Sequence, residues 1–427
     1  MSAEIPDGYL ETKAGVIPKE WEIVKLSELC VGIQSGFASG ERDEDGIIQL
    51  RMNNITTEGY VTLNSYLKVP KIDNIEDYLL KYGDILFNNT NSVDLIGKTA
   101  IFRNECDYCS FSNHLTRINV DENKTVPEWI LYNFIKKWEQ GYFRRICQRH
   151  VGQAGIGQKD LKKTVLPKPP LSEQRKIATI LSSVDAIIQE TDAIIAQTEQ
   201  VKRGLMQELF TRGIGHTEFQ DTKVGRIPVG WKVKKLGEIA NIERGKFSHR
   251  PRNDPDYYGG GTPFIQTGDV CKSNGYILNF SQTLNQRGLS VSKIFPKGTI
   301  VITIAANIGY SGILKFDAAF PDSLIGILSH SHVDNEYLNY YLSTQQIEMD
   351  RRAIEGAQKN INIPFLNSWY IKLPPPHEQR KIATLLSYVD EKLEAERGHR
   401  AKLETMKKGL MQDLLTGKKR VKVDNHA

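Results

Sequence analysis

The chain of 427 residues contains no run of about 18 consecutive apolar residues, and its first residues, Met1-Ser2-Ala3-Glu4, lack a basic-then-apolar leader. Neither a membrane span nor a secretion signal is expected, so the reading is a cytoplasmic protein with no membrane partner. Cysteine is scarce, with five residues, an odd number that suits a reducing compartment better than a disulfide framework. No Asp/Asn-Pro-Pro-Tyr/Phe methyltransferase tetrapeptide occurs, and the acidic residues form no nuclease constellation. Gly97-Lys98-Thr99 looks like the end of a phosphate-binding loop, but Ser92 stands where that loop needs glycine, and the tract flanks a strand instead of opening a helix. A large excess of one charge is missing too: 56 Lys and Arg against 51 Asp and Glu leave a net +5, which permits DNA binding without demanding it. With no catalytic residues to name, these absences favour a binding protein.

What the chain has is a repeat. Glu173-Gln174-Arg175-Lys176-Ile177-Ala178-Thr179 returns 205 residues later as Glu378-Gln379-Arg380-Lys381-Ile382-Ala383-Thr384. At the same offset, Lys202-Arg203-Gly204-Leu205-Met206-Gln207-Glu208-Leu209 returns as Lys407-Lys408-Gly409-Leu410-Met411-Gln412-Asp413-Leu414. Each copy also opens alike, with Pro18 and Trp21 echoed by Pro228 and Trp231. A period near 200 residues is too long for a solenoid, whose units run to about 20 to 50 residues. Between these anchors the match thins to positions such as Gly36 with Gly245 and Phe111 with Phe320. Two equivalent frameworks therefore carry two different surfaces.

The two repeated tracts are expected to be long helices. Each follows a proline-rich stop, Pro167-Lys168-Pro169-Pro170 or Pro374-Pro375-Pro376, and ends near Gly213 or Gly417. From Glu173 to Thr211 is about 58 Å of helix, longer than a compact domain of ~150 residues is wide. A 4-3 spacing runs through Ile177, Leu181, Val184 and Ile188, and again through Ile382, Leu386, Val389 and Leu393. Such seams predict that the helices pair with each other, and an antiparallel pair is the simplest geometry.

The remaining segments read as α+β domains, with short strands such as Ile47-Ile48-Gln49-Leu50 and Ile300-Val301-Ile302 and helices near Pro127 and Asn335. The fold class expected is therefore α+β, two pseudo-repeated globular domains joined by two long helices pairing as an antiparallel coiled coil. The boundaries are domain one at 1–170, first helix at 171–212, domain two at 213–375, second helix at 376–417 and a basic tail at 418–427. Side chains able to read base edges or phosphates cluster in the turns: Arg51, Asn53, Asn89, Arg144, Arg145, Arg149 and Gln153 in domain one. Domain two offers Lys246, Arg250, Gln266, Arg351, Arg352, Gln358 and Lys359. Singly, each is as readily a solvated or turn-forming residue.

This combination, a Pro-rich approach, Glu-Gln-Arg-Lys-Ile-Ala and the Lys-Arg/Lys-Gly-Leu-Met-Gln-Glu/Asp-Leu helix end, twice in one chain, resembles the specificity subunit of type I restriction-modification systems. The openings Ile17-Pro18-Lys19-Glu20-Trp21 and Ile227-Pro228-Val229-Gly230-Trp231 are similar to that family's domain starts. The resemblance covers nearly the whole chain. It implies two target recognition domains, each reading one half of a bipartite site on double-stranded DNA, with the helix pair as a ruler. It further implies two methylation subunits and motor-nuclease restriction subunits as partners, carrying S-adenosylmethionine, Mg and ATP, while this chain holds no cofactor. Lys202, Leu205, Leu209, Lys407, Leu410 and Leu414 are candidates for docking the methylation subunits, since near-identical helix ends present one surface twice. The alternative in another class is a non-catalytic protein-protein scaffold built on the duplicated helices.

Cys106-x-x-Cys109 with Cys147-x-x-His150 has ligand types that zinc accepts. The second copy has Arg352 where Cys147 aligns, so free thiols and a DNA-facing histidine are expected instead, and no metal residue is assigned. The tail Lys418-Lys419-Arg420 is expected to be solvated or to touch phosphate.

Overall fold

The computed structural model describes residues 5–13, 15–353 and 360–422. The chain divides into two compact units that cut across both long helices, residues 1–192 with 398–427, and residues 193–397.

In the first unit a four-stranded antiparallel sheet runs in the order Cys30–Ser35, Leu115–Val120, Ile85–Asn88, Thr99–Ile101. A smaller sheet orders Cys109–Phe111, Ile47–Leu50 and Leu67–Val69. Strand Ile85–Asn88 is buried at all four positions because both its faces are covered. Successive side chains of a strand point to opposite faces. Ile85 and Phe87 accordingly pack in one cluster with Trp129 and Phe134, while Leu86 joins Leu50 and Phe111 in another. The covering helix α1 (Pro127–Glu139) has proline in its first turn, Glu128 near its positive end and Lys136 and Lys137 in its last turn, all favourable to the helix dipole. After it come the short α2 (Tyr142–Ile146) and the long α3 (Leu171–Arg212), 42 residues without a break.

The second unit repeats this plan with a five-stranded sheet in the order Ala240–Arg244, Leu324–Ser329, Ile300–Thr303, Ser311–Leu314, Tyr276–Ile277. Here Ile300 and Ile302 face the cluster containing Tyr337, and Val301 faces the one containing Phe320. Helix α4 (Asn335–Thr344) is capped by the Asp334 carboxylate, which accepts from the Tyr337 N–H at 2.9 Å. It is followed by α5 (Gln346–Arg352) and the 39-residue α6 (Pro376–Leu414).

The halves of α3 and α6 pair inside each unit. In the first, Lys407 Nζ lies 2.6 Å from Asp185 Oδ1 and Arg400 pairs with Asp192. In the second, Lys202 Nζ lies 2.5 Å from Asp390 Oδ1 and Arg397 lies 2.8 Å from Glu199. In both units the residue number falls along one helix as it rises along the other, so the pairing is antiparallel, as the seams predicted.

The repeated Glu-Gln pair forms the joint between each domain and its helix. Glu173 and Glu378, 3 % and 4 % exposed, accept the indole N–H of Trp21 at 3.2 Å and of Trp231 at 3.0 Å. Gln174 and Gln379, wholly buried, donate to the Pro169 and Pro374 carbonyls at 2.9 and 2.8 Å. A buried carboxylate needs further N–H donors or a positive partner as well. Arg420 supplies it to Glu173, donating at 2.8 and 3.0 Å while also pairing with Glu20 and lying over the Trp21 ring. In the second unit the Ile214 N–H and the His216 ring take that place on Glu378, at 3.0 and 2.8 Å. Of the basic tail, expected to be solvated or to touch phosphate, Lys418 and Lys419 are exposed beside Asp413, whereas Arg420 is corrected to a structural plug that pairs with the buried Glu173. Replacing Arg420 with Ala leaves Glu173 with the indole alone and is expected to lower stability by about 2 kcal/mol. Removing the exposed partner with Glu20→Ala should cost under about 1 kcal/mol. Urea midpoints of the two full-length variants check the order.

Candidate nucleic-acid interface

In the first unit Gln148–His150 and Gln153–Gly155 form an antiparallel hairpin, joined by a two-residue turn at Val151 and Gly152. Gly152 has φ +80, a conformation that L side chains avoid. Thr90–Asn91 pairs with the second strand and makes a three-stranded ribbon. Arg149, His150 and Gln153 are all exposed on it, with Val151 at its tip, and the exposed Arg144 and Arg145 lie on the adjoining α2. A two-stranded ribbon of this kind fits the DNA major groove. Arg144 is 3.4 Å from Asp94, and Arg145 donates to the Gln140 carbonyl at 2.8 Å, both in contacts open to solvent.

A second group gathers where strands end. Arg51 caps a short turn, its backbone N–H bonded to Asn54 Oδ1 at 2.9 Å, and Asn53 is exposed beside it. In the second unit Gln266 caps the equivalent turn, its N–H bonded to Asp269 Oδ2 at 2.8 Å. The same backbone position therefore presents arginine in one domain and glutamine in the other. Gly36 and Gly245, matched in sequence, sit against this rim: a Cβ on either would lie 2.2 Å from the Phe111 oxygen or 2.3 Å from the Pro321 oxygen. That close approach demands glycine in both copies whatever the surface reads.

Gln49 Oε1, Arg51 Nε, Asn88 Oδ1 and Ser112 Oγ are buried around this rim with no hydrogen-bond partner. Such atoms are rare in folded proteins, because each forgoes its solvation. Gln49 and Ser112 were missed in the sequence; a polar residue inside the apolar run Ile47-Ile48-Gln49-Leu50 was the available signal.

In the second unit Arg351 and Arg352 are exposed on α5, the counterpart of α2, and both pair with Glu348. Lys246 is exposed just after Gly245. Arg250 donates to the Phe247 and His249 carbonyls, both at 2.7 Å, and pairs with Asp322 at 3.3 Å. Gln358 and Lys359 lie outside the described residues. Ala305 pairs with Asn360 as Thr90–Asn91 pairs with the ribbon of the first unit.

Some candidates lie inside the protein. Asn89 is 8 % exposed, its amide donating to the Asn113 carbonyl and Thr116 Oγ1 at 3.1 and 2.9 Å, so it ties two strands together. Lys98 is buried with Nζ 2.5 Å from the Ile55 carbonyl, and its removal from water holds its pKa below the usual lysine value. Of the helix-end residues, Leu209 and Leu414 are 5 % and 6 % exposed, Lys202 and Lys407 are ion-paired, and Leu205 and Leu410 are half-buried.

The Cys106 and Cys109 side chains lie against each other, their Cα atoms 6.1 Å apart. Three residues in sequence separation bring them face to face at the start of strand Cys109–Phe111. Among the described residues no three His, Cys, Asp or Glu side chains gather as a metal would need. Burial pushes the Cys30 thiol up to about 12, the reverse of nucleophile activation. No described helix is long and apolar enough to cross a membrane.

The family model of the type I restriction modification DNA specificity domain matches this chain twice, over residues 18–200 and 228–405. The chain belongs to that family. It is 32 % identical over 423 residues to the putative type I restriction enzyme MjaX specificity subunit of Methanocaldococcus jannaschii, covering 97 % of each chain. The MjaVIII specificity subunit of the same organism is 28 % identical over 427 residues, covering 95 % of this chain and 94 % of the other. Among solved structures, the S subunit of a type I system from M. genitalium is similar with a TM-score of 0.58 at 14 % identity, covering 92 % of this chain and 96 % of that one, a likeness of fold. As a member of that family the chain is a DNA specificity subunit and not the catalytic component.

Proposed function

We propose that this specificity subunit reads a bipartite, asymmetric target on double-stranded DNA, one half by each globular domain, with an unread spacer between them. Residues 1–170 and 213–375 are the two recognition domains, and the paired helices at 171–212 and 376–417 set the spacer. The observation that carries the reading is that equivalent positions on one framework bear different side chains: Arg51 against Gln266, and Asn53 against Gly268. Arginine suits guanine and phosphate, whereas glutamine suits adenine, so two such copies favour two unlike half-sites. The first half is read by Arg51, Asn53, Arg149 and Gln153 with Arg144 and Arg145 beside them, the second by Lys246, Arg250, Gln266, Arg351 and Arg352. Bound targets direct adenine methylation by two methylation subunits and cleavage by motor-nuclease subunits, which carry the S-adenosylmethionine, Mg and ATP. The exposed faces of the two matching helix ends, around Leu205 and Leu410, dock the methylation subunits.

Sequencing native DNA from the host with and without this gene is expected to reveal one bipartite methylated motif that vanishes with the gene. A continuous or unchanged motif would refute the proposal. Replacing Arg144 and Arg145 together by Ala should weaken or relax only one half of that motif, by about 1 to 3 kcal/mol for each base no longer read. Equal weakening of both halves in the same methylation map would argue against independent readers. Inserting one heptad at mid-length in both α3 and α6 preserves the seam and adds about 10 Å of helix. The methylated sites of that variant are expected to have a spacer longer by about three base pairs at 3.4 Å each.

A further inference from the structure

Each unit contains an ionic node that joins both long helices to the globular domain. In the first, the Tyr132 hydroxyl of α1 donates to Asp185 Oδ2 of α3 at 2.7 Å, and Lys407 of α6 reaches Asp185 Oδ1 at 2.6 Å. In the second, the Tyr340 hydroxyl of α4 donates to Asp390 Oδ2 of α6 at 2.7 Å, and Lys202 of α3 reaches Asp390 Oδ1 at 2.5 Å. The ammonium also approaches the tyrosine ring in both, at 5.6 and 5.5 Å from the centroid. Side-chain exposure is 10 to 12 % in the first node and 21 to 23 % in the second. All three residues recur in chemistry and role, although the DNA-facing surfaces of the copies have diverged.

Stability does not explain a charged node here, because well-packed apolar residues stabilise such a position equally well or better. Geometry does. The carboxylate accepts from the globular domain with one oxygen and from the opposite helix with the other, so it constrains both at once. It stands 12 residues beyond the Glu173 or Glu378 joint, about 18 Å farther along the helix. One anchor leaves a domain free to swing on its helix; two anchors fix its inclination. The lysine from the facing helix fixes the axial register of the pair, as a single polar residue does in a coiled-coil seam.

We propose that Tyr132, Asp185 and Lys407, and separately Tyr340, Asp390 and Lys202, are positioning residues that set how strictly the unread spacer length is enforced. They touch no base. The proposal rests on the bipartite reading above, and it assigns spacer strictness to contacts remote from the DNA-facing ribbon and rim.

The test is methylation by the full complex on a DNA library with both half-sites held constant and the spacer varied by single base pairs. Asp185→Asn removes the charge, and Tyr132→Phe removes the hydroxyl with its bonds to Asp185 and Ser182 while keeping the ion pair, so it reports even where the first variant folds poorly. Either is expected to leave the half-site sequences unchanged and to raise methylation at spacers one base pair too long or short at least about tenfold over wild type. Asp390→Asn and Tyr340→Phe should do the same from the other unit. Leu181→Ala is the comparator: it opens a cavity at a wholly buried seam residue outside the node and should lower yield and melting temperature while keeping the spacer preference. Unchanged spacer preference in both Tyr→Phe and Asp→Asn variants overturns the proposal, as does equal broadening by Leu181→Ala. A wild-type complex with no spacer preference at all overturns the bipartite reading itself, which the same library shows separately.

Discussion

Two glutamates, Glu173 and Glu378, lie almost out of reach of water at the start of the long helices, and the surrounding structure is arranged to keep them paired. Each takes an indole N–H from the opening of its domain, while the neighbouring glutamine bonds to the carbonyls of the preceding loop. A carboxylate so buried also requires positive or N–H partners, and these arrive from the segment that follows the opposite helix. In the first unit that segment is the tail with Arg420; in the second it is the link with Ile214 and His216. The chain's tail and its inter-domain link therefore perform one structural task, and the two units are closed in the same way by different chemistry.

On that joint the protein builds one framework twice. Central strands such as Ile85–Asn88 and Ile300–Thr303 are buried on both faces, so they tolerate little change. Glycines 36 and 245 are held by backbone carbonyls that leave no room for a side chain. Freedom begins where the chain leaves these strands, at Arg51 and Gln266 and at the Gln148–Gly155 ribbon, because side chains there are not locked into the core. Two copies that differ at those positions carry two different surfaces on one kind of core.

Several residues that look like surface chemistry in the sequence are internal ties. Asn89 and Lys98 carry polar groups typical of nucleic-acid contacts, yet their donors are spent on protein acceptors. Conversely, Gln49 and Ser112 attracted no notice in the sequence and lie beside Arg51 with unpaired polar atoms. Side-chain type alone does not report burial, and burial decides whether a donor is available.

The long helices, their antiparallel pairing, the duplicated plan and the membership of the family were legible in the sequence, because heptad spacing, proline stops and a repeated tract are local signals that need no knowledge of distant contacts. The roles of the repeated residues were not. That the glutamate of the repeat accepts from Trp21, that Arg420 is a plug, and that Tyr132, Asp185 and Lys407 converge are contacts across 53 to 247 residues of chain. Tertiary structure decided these, since partners of a buried charge are chosen by which elements pack together, and packing is a property of the whole core.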